Sequence, residues 1–461
     1  MDLISSALVV AIAHGAPARV PRPVAERYAQ LKSAIARFPN AEQILAIVAE
    51  MEAEGGRQQQ EPLRLALARA LSVAKVPDDM ATLFAAQALL DLLERTTDAA
   101  SADSAAASEA SAAPQMQATG EADQAGVVSN YAVVRTYFAT DRRREIGQPP
   151  AQRFSSARSG DVAGPVISYG VCDISIPRDH RMGQLESPSL WRLELRENPA
   201  RHVVLLTAEV QQRDQFFSSL AATIAASKRR SAFVFVPGYN VTFEDAARRT
   251  GQMAYDLGFD GAPVFYSWPS QGELADYTVD ENNIDWSTPH LTAFLADFLQ
   301  KTDAACIYLI AHSIGSRGLA RAVAELHATE PALAQKITEI ILTAPDIDAD
   351  VFRHDIAPRL RSSGRPLTLY ASSEDLALAA SKAVHGHARA GDSGAGMLIL
   401  PGMETVDATG VDTGFVKHAY FAEQRSTLSD IYYLIHNNAR ADQRFLDAVD
   451  GPGGRYWTFR R

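Results

Sequence analysis

The first 95 residues carry apolar side chains at helical spacing. In one stretch the apolar positions recur every three or four residues, at Val24, Tyr28, Leu31 and Ile35. This period places them on one face of an α-helix. Similar stripes occur at Ile44–Met51 and Leu83–Leu93. The pattern predicts a small all-helical domain over residues 1–95, and because it contains no catalytic constellation we interpret it as an interaction module for a protein partner.

Residues 96–126 have no apolar face. Alanine supplies 12 of these 31 residues, and the five charged residues are all acidic. A segment without an apolar surface gains no burial free energy to offset the loss of conformational entropy on ordering. We therefore predict a disordered Ala/Ser-rich linker. The alternative is a long Ala-rich helix, because alanine has the highest helix propensity.

From Tyr131 onward, short β-branched and apolar runs alternate with helical segments. The predicted strands are Val133–Ala139, Val171–Ile176, Val203–Ala208, Ala232–Val236, Pro263–Trp268, Cys306–Ala311, Ile337–Ala344, Leu367–Ala371 and Met397–Leu400. The predicted helices are Phe243–Leu257, Leu291–Gln300, Arg317–Leu326 and Ala377–Val384. Strands joined by helices form right-handed crossovers, so residues 127–461 are expected to build one α/β domain on a mostly parallel sheet. Thr242 and Asp245 predict a capping box at the start of one helix.

One strand–helix junction has the pattern of a nucleophile elbow. The buried run Cys306–Ala311 leads into His312-Ser313-Ile314-Gly315, and a helical segment follows directly. Such a turn is so tight that only small side chains fit two residues before and two residues after the nucleophile, and Ala311 and Gly315 meet this requirement. We therefore predict Ser313 as a nucleophile; a helix N-cap is the alternative role for this serine.

An acylating serine needs two N–H donors for the oxyanion. The backbone amide of the residue after the nucleophile, Ile314, supplies one at a helix N-terminus. The second is expected from the loop that follows the strand Ala232–Val236, where Gly238 lets the backbone turn freely and Tyr239 offers its amide. As a purely local motif, Pro-Gly-Tyr-Asn is also a good turn, and the two interpretations are compatible.

The general base and its acid partner are expected later in the chain, because this arrangement has the order Ser, Asp or Glu, His. His418 lies in a loop after the last predicted strand and is the predicted base, whereas His436 lies in an apolar-periodic helix and is interpreted as structural. Asp375 follows the strand Leu367–Ala371 and is the favoured acid. Asp346, after the preceding strand, is the alternative acid; its other interpretation is a helix cap, like its neighbours Asp348 and Asp350.

Composition narrows the functional classes. The chain has 461 residues, 47% of them apolar and 21% charged, as in ordinary globular proteins. A net charge of -11 argues against binding to nucleic acid. Only two cysteines occur, Cys172 and Cys306, which excludes a disulfide framework and a cysteine-built zinc site. We expect neither a metal nor a cofactor.

The targeting signals are also weak. No apolar run reaches the length of a transmembrane helix. Leu3–Ala13 has the length of a signal-peptide core, and Ala16-Pro17-Ala18 resembles a cleavage site. The residues before this core include no basic side chain and do include Asp2, which is the wrong sign. We therefore favour a first helix of the small domain, and a cytoplasmic protein, over a secreted one.

Ordered motifs over residues 131–430 resemble a bacterial family of alpha/beta hydrolases of unknown function, often described as esterase/lipase superfamily enzymes. The motifs that carry the resemblance are Phe138-Ala139-Thr140-Asp141-Arg142, Ser168-Tyr169-Gly170, Ile176-Pro177-Arg178-Asp179-His180, Gly238-Tyr239-Asn240-Val241, Tyr266-Ser267-Trp268-Pro269-Ser270, Ala311-His312-Ser313-Ile314-Gly315, Ala344-Pro345-Asp346-Ile347-Asp348, Ala371-Ser372-Ser373-Glu374-Asp375 and Lys417-His418-Ala419-Tyr420. The resemblance implies an alpha/beta-hydrolase fold and a Ser-Asp-His triad. It implies no particular substrate. Two positions differ, since the family usually has histidine at Pro237 and asparagine at Ser316.

These observations predict a serine hydrolase that cleaves carboxylic esters, including lipid esters, through an acyl-enzyme on Ser313. Asp375 would orient His418, and the Ile314 and Tyr239 amides would hold the oxyanion. The alternative is a hydrolase-fold protein that serves signalling or binding with little turnover, its helical module recruiting a partner, because a fold does not by itself establish an activity.

Overall fold

The structure is a computed structural model of the 461-residue chain. It describes all residues except 1–3, 5–6, 9–10, 13–19, 39, 55–62, 64–65, 68–69, 72–73, 75–81, 83–84, 87–88, 90–129, 162–165, 183–184, 187–196, 272–276, 363, 374–386, 410–426, 452 and 461. The described residues up to 89 form one compact unit, and those from 130 onward form another.

The N-terminal unit is helical, as its apolar stripes predict. Helix α1 spans Arg22–Ile35 and α2 spans Ala41–Glu54. The predicted stripe of α1 is buried, and it packs with Ile44, Val48 and Met51 and with apolar residues from Ile4 to Leu89. Tyr28 donates a hydrogen bond to Glu52 at 2.7 Å, and Lys32 forms an ion pair with the same carboxylate at 2.8 Å. The two helices are therefore joined by both apolar and polar contacts.

The second unit is built on an eleven-stranded, mostly parallel sheet. Its strands lie in the order β12-β13-β11-β10-β9-β8-β6-β7-β1-β4-β5, and β2 and β3 form a separate hairpin. The strands are β1 Tyr131–Thr140, β2 Arg142–Arg144, β3 Phe154–Arg158, β4 Ser168–Pro177, β5 Val204–Gln211, β6 Ser231–Val236, β7 Ala262–Ser267, β8 Cys306–His312, β9 Glu339–Thr343, β10 Leu367–Ala371, β11 Glu404–Asp407, β12 Leu446–Gly451 and β13 Gly454–Phe459. The central strands β6, β7, β8 and β9 are almost completely buried, which explains why the interior of each strand is predominantly apolar.

Helices connect the strands of this unit. They are α3 Arg213–Ala226, α4 Phe243–Asp256, α5 Tyr277–Lys301, α6 Gly315–Thr329, the short α7 Pro331–Ala334 and α8 Ala349–Val351, α9 Ala357–Ser362 and α10 Thr427–Asn437, with a π-helical turn at Phe352–Ile356 between α8 and α9. Helix α4 begins with the predicted capping box, in which Thr242 Oγ1 accepts from Asp245 N–H at 3.1 Å. None of the helices in the described part of the chain combines the length and hydropathy needed to cross a bilayer.

The parallel register brings several loops to one edge of the sheet. Strands β1, β6, β7, β8, β9 and β10 all run in the same direction. The residues that follow their carboxyl ends therefore meet along this edge, which is where open α/β sheets bind ligands. They include Arg142, Tyr239, Ser270, Ser313 and Asp346.

Two predicted elements need correction. The run Met397–Leu400 is not a strand: Pro401 and Gly402 turn the chain after it, and the strand that pairs with β10 is β11, Glu404–Asp407. Helix α5 begins well before the predicted Leu291 and passes through Pro289. Helix α3 and the hairpins β2–β3 and β12–β13 were not predicted at all. The predicted helix Ala377–Val384 and the predicted linker 96–126 lie outside the described residues.

Candidate active site

Ser313 occupies the sharp turn between β8 and α6. Its backbone has φ +50°, a left-handed conformation that a non-glycine residue adopts only at a cost in strain. The turn is fixed because Ser313 N–H donates to the carbonyl oxygen of Thr343 at 3.0 Å. The side chain is 1% exposed, and its hydroxyl has no hydrogen-bond partner among the described residues. This is the backbone geometry expected of a nucleophile elbow.

The small residues beside Ser313 are required by the space available. A Cβ atom added to Gly315 would lie 2.2 Å from the carbonyl oxygen of Pro237 and 2.8 Å from that of Val236. Both are backbone atoms, so a larger residue would displace the chain at the start of α6. Ala311, where the usual motif has glycine, is completely buried on β8 and its methyl group is accommodated.

The loop 237–241 lies directly against the elbow. A Cβ atom on Gly238 would be 2.8 Å from His312 Nδ1 and 3.0 Å from Ser313 Cβ. The backbone that leads into Tyr239 therefore passes within contact distance of the nucleophile. The predicted donors, the amides of Tyr239 and Ile314, belong to the two segments that meet here.

Side chains from the end of β7 hold the start and end of this loop. Trp268 Nε1–H donates to the carbonyl oxygen of Pro237 at 2.9 Å. Ser270 Oγ accepts from Val241 N–H at 3.2 Å and donates to Asp280 at 2.6 Å. The proline that differs from the family pattern thus still has its carbonyl fixed by a buried indole.

Two charged residues that the sequence analysis did not assign to the site hold the same loop. Arg142 is 1% exposed, and its Nη2–H donates to the carbonyl oxygen of Val241 at 2.6 Å. The Asp280 carboxylate accepts from Asn240 N–H at 3.3 Å. Burial lowers the pKa of Arg142 to about 10 and raises the pKa of Asp280 to about 6, and their opposite charges partly offset this effect. For Arg142, the available signal was an arginine two residues after the end of β1.

Asp346 is joined to the elbow through its backbone and is completely buried. Its N–H donates to the carbonyl oxygen of Ser313 at 3.1 Å. Its carboxylate accepts from Arg389 Nε–H at 2.6 Å and from the hydroxyl of Tyr277. The ring of Tyr277 in turn lies edge-on to Tyr239, with the ring centroids 5.5 Å apart. Asp346 is therefore a buried ion-pair partner, and the helix-cap interpretation is wrong for it, because Asp348 caps α8 instead.

His312 precedes the nucleophile but is unsuited to act as a base. Burial lowers its pKa to about 3, and the positive charge of Arg249 acts in the same direction. His436 lies in α10 and its Nε2 contacts the carbonyl oxygen of Leu257 at 2.6 Å, as expected of a structural residue. The predicted base His418 and the favoured acid Asp375 lie outside the described residues.

No metal site is present in the described ranges of the chain, since no three His, Cys, Asp or Glu side chains there lie close enough to hold an ion. Cys172 and Cys306 are free cysteines. The described part of the site thus consists of a strained serine, two amide-bearing segments and a buried Asp346–Arg389 pair.

Comparison with known proteins agrees with this geometry. Residues 212–436 match a family model described as alpha/beta hydrolase of unknown function (DUF900). The matched segment begins just before α3 and ends in α10, so it contains the elbow, the loop 237–241 and Asp346. No curated protein matches the chain.

Proposed function

We propose that the protein is a serine hydrolase that cleaves carboxylic esters, starting from the match of residues 212–436 to the family model of alpha/beta hydrolases of unknown function. One observation supports the proposal most strongly. Ser313 is held at φ +50° at the carboxyl end of a central strand, with its hydroxyl unpartnered in the described residues and the Gly238 backbone in contact with it. Strain and an unpaired buried hydroxyl both cost stability, and they are expected where a reactive group must face a substrate.

In the proposed reaction, Ser313 Oγ attacks the carbonyl carbon of the ester while His418 accepts the hydroxyl proton. The carbonyl oxygen becomes an oxyanion that the amides of Ile314 and Tyr239 hold by hydrogen bonds. The tetrahedral intermediate collapses, and the alcohol leaves with the proton from His418. A water molecule, deprotonated by His418, then attacks the acyl-enzyme. When this second tetrahedral intermediate collapses, His418 returns the proton to Ser313 Oγ and the carboxylic acid is released.

We propose Asp375 as the acid that orients His418. The alternative, Asp346, already has a hydrogen bond on each carboxylate oxygen, one of them from the cationic Arg389. A carboxylate whose charge is balanced by a guanidinium stabilises an imidazolium less than a carboxylate without such a partner does. In the sequence, Asp375 comes four residues after the end of β10, which is the usual position of the acid.

The proposed substrates are small-molecule or lipid esters, and for residues 1–95 we propose a separate role as a module that binds a protein partner. The described apolar residues of the N-terminal unit form a core of their own. A chain that begins at Val127 is therefore expected to hydrolyse small soluble esters as fast as the full chain does.

The direct test is labelling by a fluorophosphonate probe, which reacts covalently only with activated serines. The wild-type chain should be labelled, and Ser313→Ala should lose both labelling and the hydrolysis of p-nitrophenyl esters. Ser316→Ala is the matched control, because Ser316 is equally buried three residues later and its hydroxyl also has no partner in the described part of the chain. It should keep both activities. A panel of p-nitrophenyl esters from short to long acyl chains then defines the acyl preference.

The proposal requires that the wild-type chain is labelled and active, and that Ser313→Ala is neither. If the wild-type chain resists the probe and hydrolyses none of the esters, the proposed activity is wrong, and a binding or signalling role for the fold becomes the better hypothesis. If Ser313→Ala retains more than about a tenth of the wild-type turnover, the activity belongs to another nucleophile.

A further inference from the structure

The loop 237–241 is held by buried charged side chains, and their other contacts do not offset the free-energy cost of burying the charge. The Arg142 guanidinium is buried, and its remaining hydrogen bonds go to Ser267 Oγ at 2.8 Å and to the carbonyl oxygens of Ser270 and Ser155 at 3.0 and 3.4 Å. All of these acceptors are neutral. Transferring a cation from water into such surroundings costs several kcal/mol, which neutral acceptors repay only in part.

Asp280 is a buried carboxylate whose negative charge acts on Arg142, as do the charges of Asp141 and Asp245. Its carboxylate binds Ser270 Oγ, Gln271 N–H at 2.8 Å and Asn240 N–H at 3.3 Å. The pair therefore attaches to the loop at two consecutive residues, Asp280 at the amide of Asn240 and Arg142 at the carbonyl of Val241. Asn240 has φ +57°, so this attachment holds the backbone in a left-handed conformation immediately after the proposed oxyanion donor.

We propose that Arg142 and Asp280 are positioning residues of the oxyanion hole, which fix the loop 237–241 so that the Tyr239 N–H points at the developing oxyanion. This inference rests on the proposed function, because it assumes that the loop stabilises an oxyanion. An oxyanion hole is effective because its dipoles are already oriented before the reaction. A loop that had to reorient in each turnover would lose part of this stabilisation. The buried pair supplies a rigid attachment that neither Pro237 nor Gly238 can provide by its own side chain.

The pair joins distant parts of the chain that the motifs had already singled out. Arg142 follows β1, Ser267 is the last residue of β7, and Ser270 belongs to the segment after β7. These residues do not contact the proposed reacting atoms; they act through the loop backbone. A change in either member is therefore expected to lower kcat rather than to raise KM, since substrate binding does not depend on the oxyanion contact.

Two conservative variants test the inference. Arg142→Lys keeps the charge but loses the forked donor geometry, and Asp280→Asn keeps the shape but loses the negative charge. In each, kcat for a short p-nitrophenyl ester, divided by the number of fluorophosphonate-labelled sites, should fall by about 10- to 100-fold, with KM changed less than threefold. Arg158→Lys is the control, because Arg158 is on the same hairpin and binds Asn283 through its Nε.

A second measurement separates positioning from a general loss of structure. An aryl boronic acid forms a tetrahedral adduct on an active serine and so imitates the transition state, and its inhibition constant should weaken by the same factor as kcat. If both variants have the per-site kcat and the boronate affinity of the wild-type chain, the inference is overturned. The proposed function would stand in that case, because the wild-type chain itself still hydrolyses the ester. If the wild-type chain is neither labelled nor active, both are overturned. If Asp280→Asn does not fold, Arg142→Lys alone decides.

Discussion

Asp346 and Ser313 are joined backbone to backbone: the N–H of Asp346 donates to the carbonyl oxygen of the proposed nucleophile across 3.1 Å. The carboxylate of the same aspartate is 2.6 Å from Arg389 Nε. Asp346 thus supports the turn that presents Ser313, yet its charge is directed to an arginine. A residue can lie next to a nucleophile for structural reasons, and this makes the assignment of the acid testable.

We predict that Asp375→Asn and Asp346→Asn have opposite effects. Asp375→Asn should lower kcat by about 10⁴-fold, because an amide favours the wrong tautomer of His418 and does not stabilise the imidazolium. Asp346→Asn should leave Arg389 as a buried charge without its counter-ion, which costs about 3 kcal/mol in the free energy of unfolding, with little loss of rate per folded molecule. Urea unfolding and per-site kcat measure the two quantities separately.

Asp350→Asn serves as the control for both variants, since Asp350 is an exposed residue of α8. It should change neither the rate nor the stability. An inactive Asp346→Asn beside an active Asp375→Asn would assign the acid to the loop after β9, and the Arg389 pair would then have to open in the reaction.

The second prediction concerns the space at the start of α6. Gly315→Ala places a methyl group 2.2 Å from the carbonyl oxygen of Pro237, so the elbow and the loop 237–241 must move apart. A displacement of about 1 Å in a catalytic group can cost 10²-fold in rate, and we expect a loss of at least that size in kcat/KM. Gly396→Ala is the matched control, because nothing lies within 4 Å of its added Cβ. Equal kcat/KM in the two variants would show that the elbow is not as tight as the structure has it.

Much of this site was predictable because it depends on local constraints. A buried strand, a serine between small residues and a helix favour this turn, so the sharp turn at Ser313 was predictable from the sequence. The roles of Ser313 and of the Ile314 amide stay predictions. The capping box at Thr242 is equally local. The fold class followed from the alternation of strands and helices, which the parallel sheet confirms.

What could not be predicted depends on which distant segments meet. The apolar run Met397–Leu400 has the composition of a strand, yet the run Glu404–Asp407 forms it, because these are the residues that pair with β10 and β13. Helix α5 was predicted to start after Pro289, but packing along its length outweighs the one hydrogen bond that a proline removes. For the same reason, nothing in the local pattern shows that Arg142 and Asp280 hold one loop.

The third prediction concerns His180, which is buried between two carboxylates. Its Nδ1 is 2.7 Å from Glu186 Oε2 and its Nε2 is 2.7 Å from Asp256 Oδ1. Only the protonated ring can donate both hydrogen bonds at once. Burial lowers the pKa of His180, but the two hydrogen-bonded carboxylates outweigh it and raise the pKa to about 9. The ring therefore links the segment after β4 to the end of α4 as a cation.

Because the pKa of His180 is higher in the folded chain than its ordinary value of about 6.5, the folded state holds the proton more tightly. The stabilisation is fully present below pH 6.5 and is lost as the pH rises through 9, and it amounts to about 3 kcal/mol in the free energy of unfolding.

In His180→Gln, which cannot carry the charge, this decrease between pH 6.5 and 9 should disappear, and the chain should be less stable at pH 6. His436→Gln should keep the decrease, since His436 contacts a neutral carbonyl. Urea unfolding followed by tryptophan fluorescence measures this, because all four tryptophans lie beyond residue 190. A His180→Gln variant with the wild-type pH dependence would show that His180 is neutral in the folded protein.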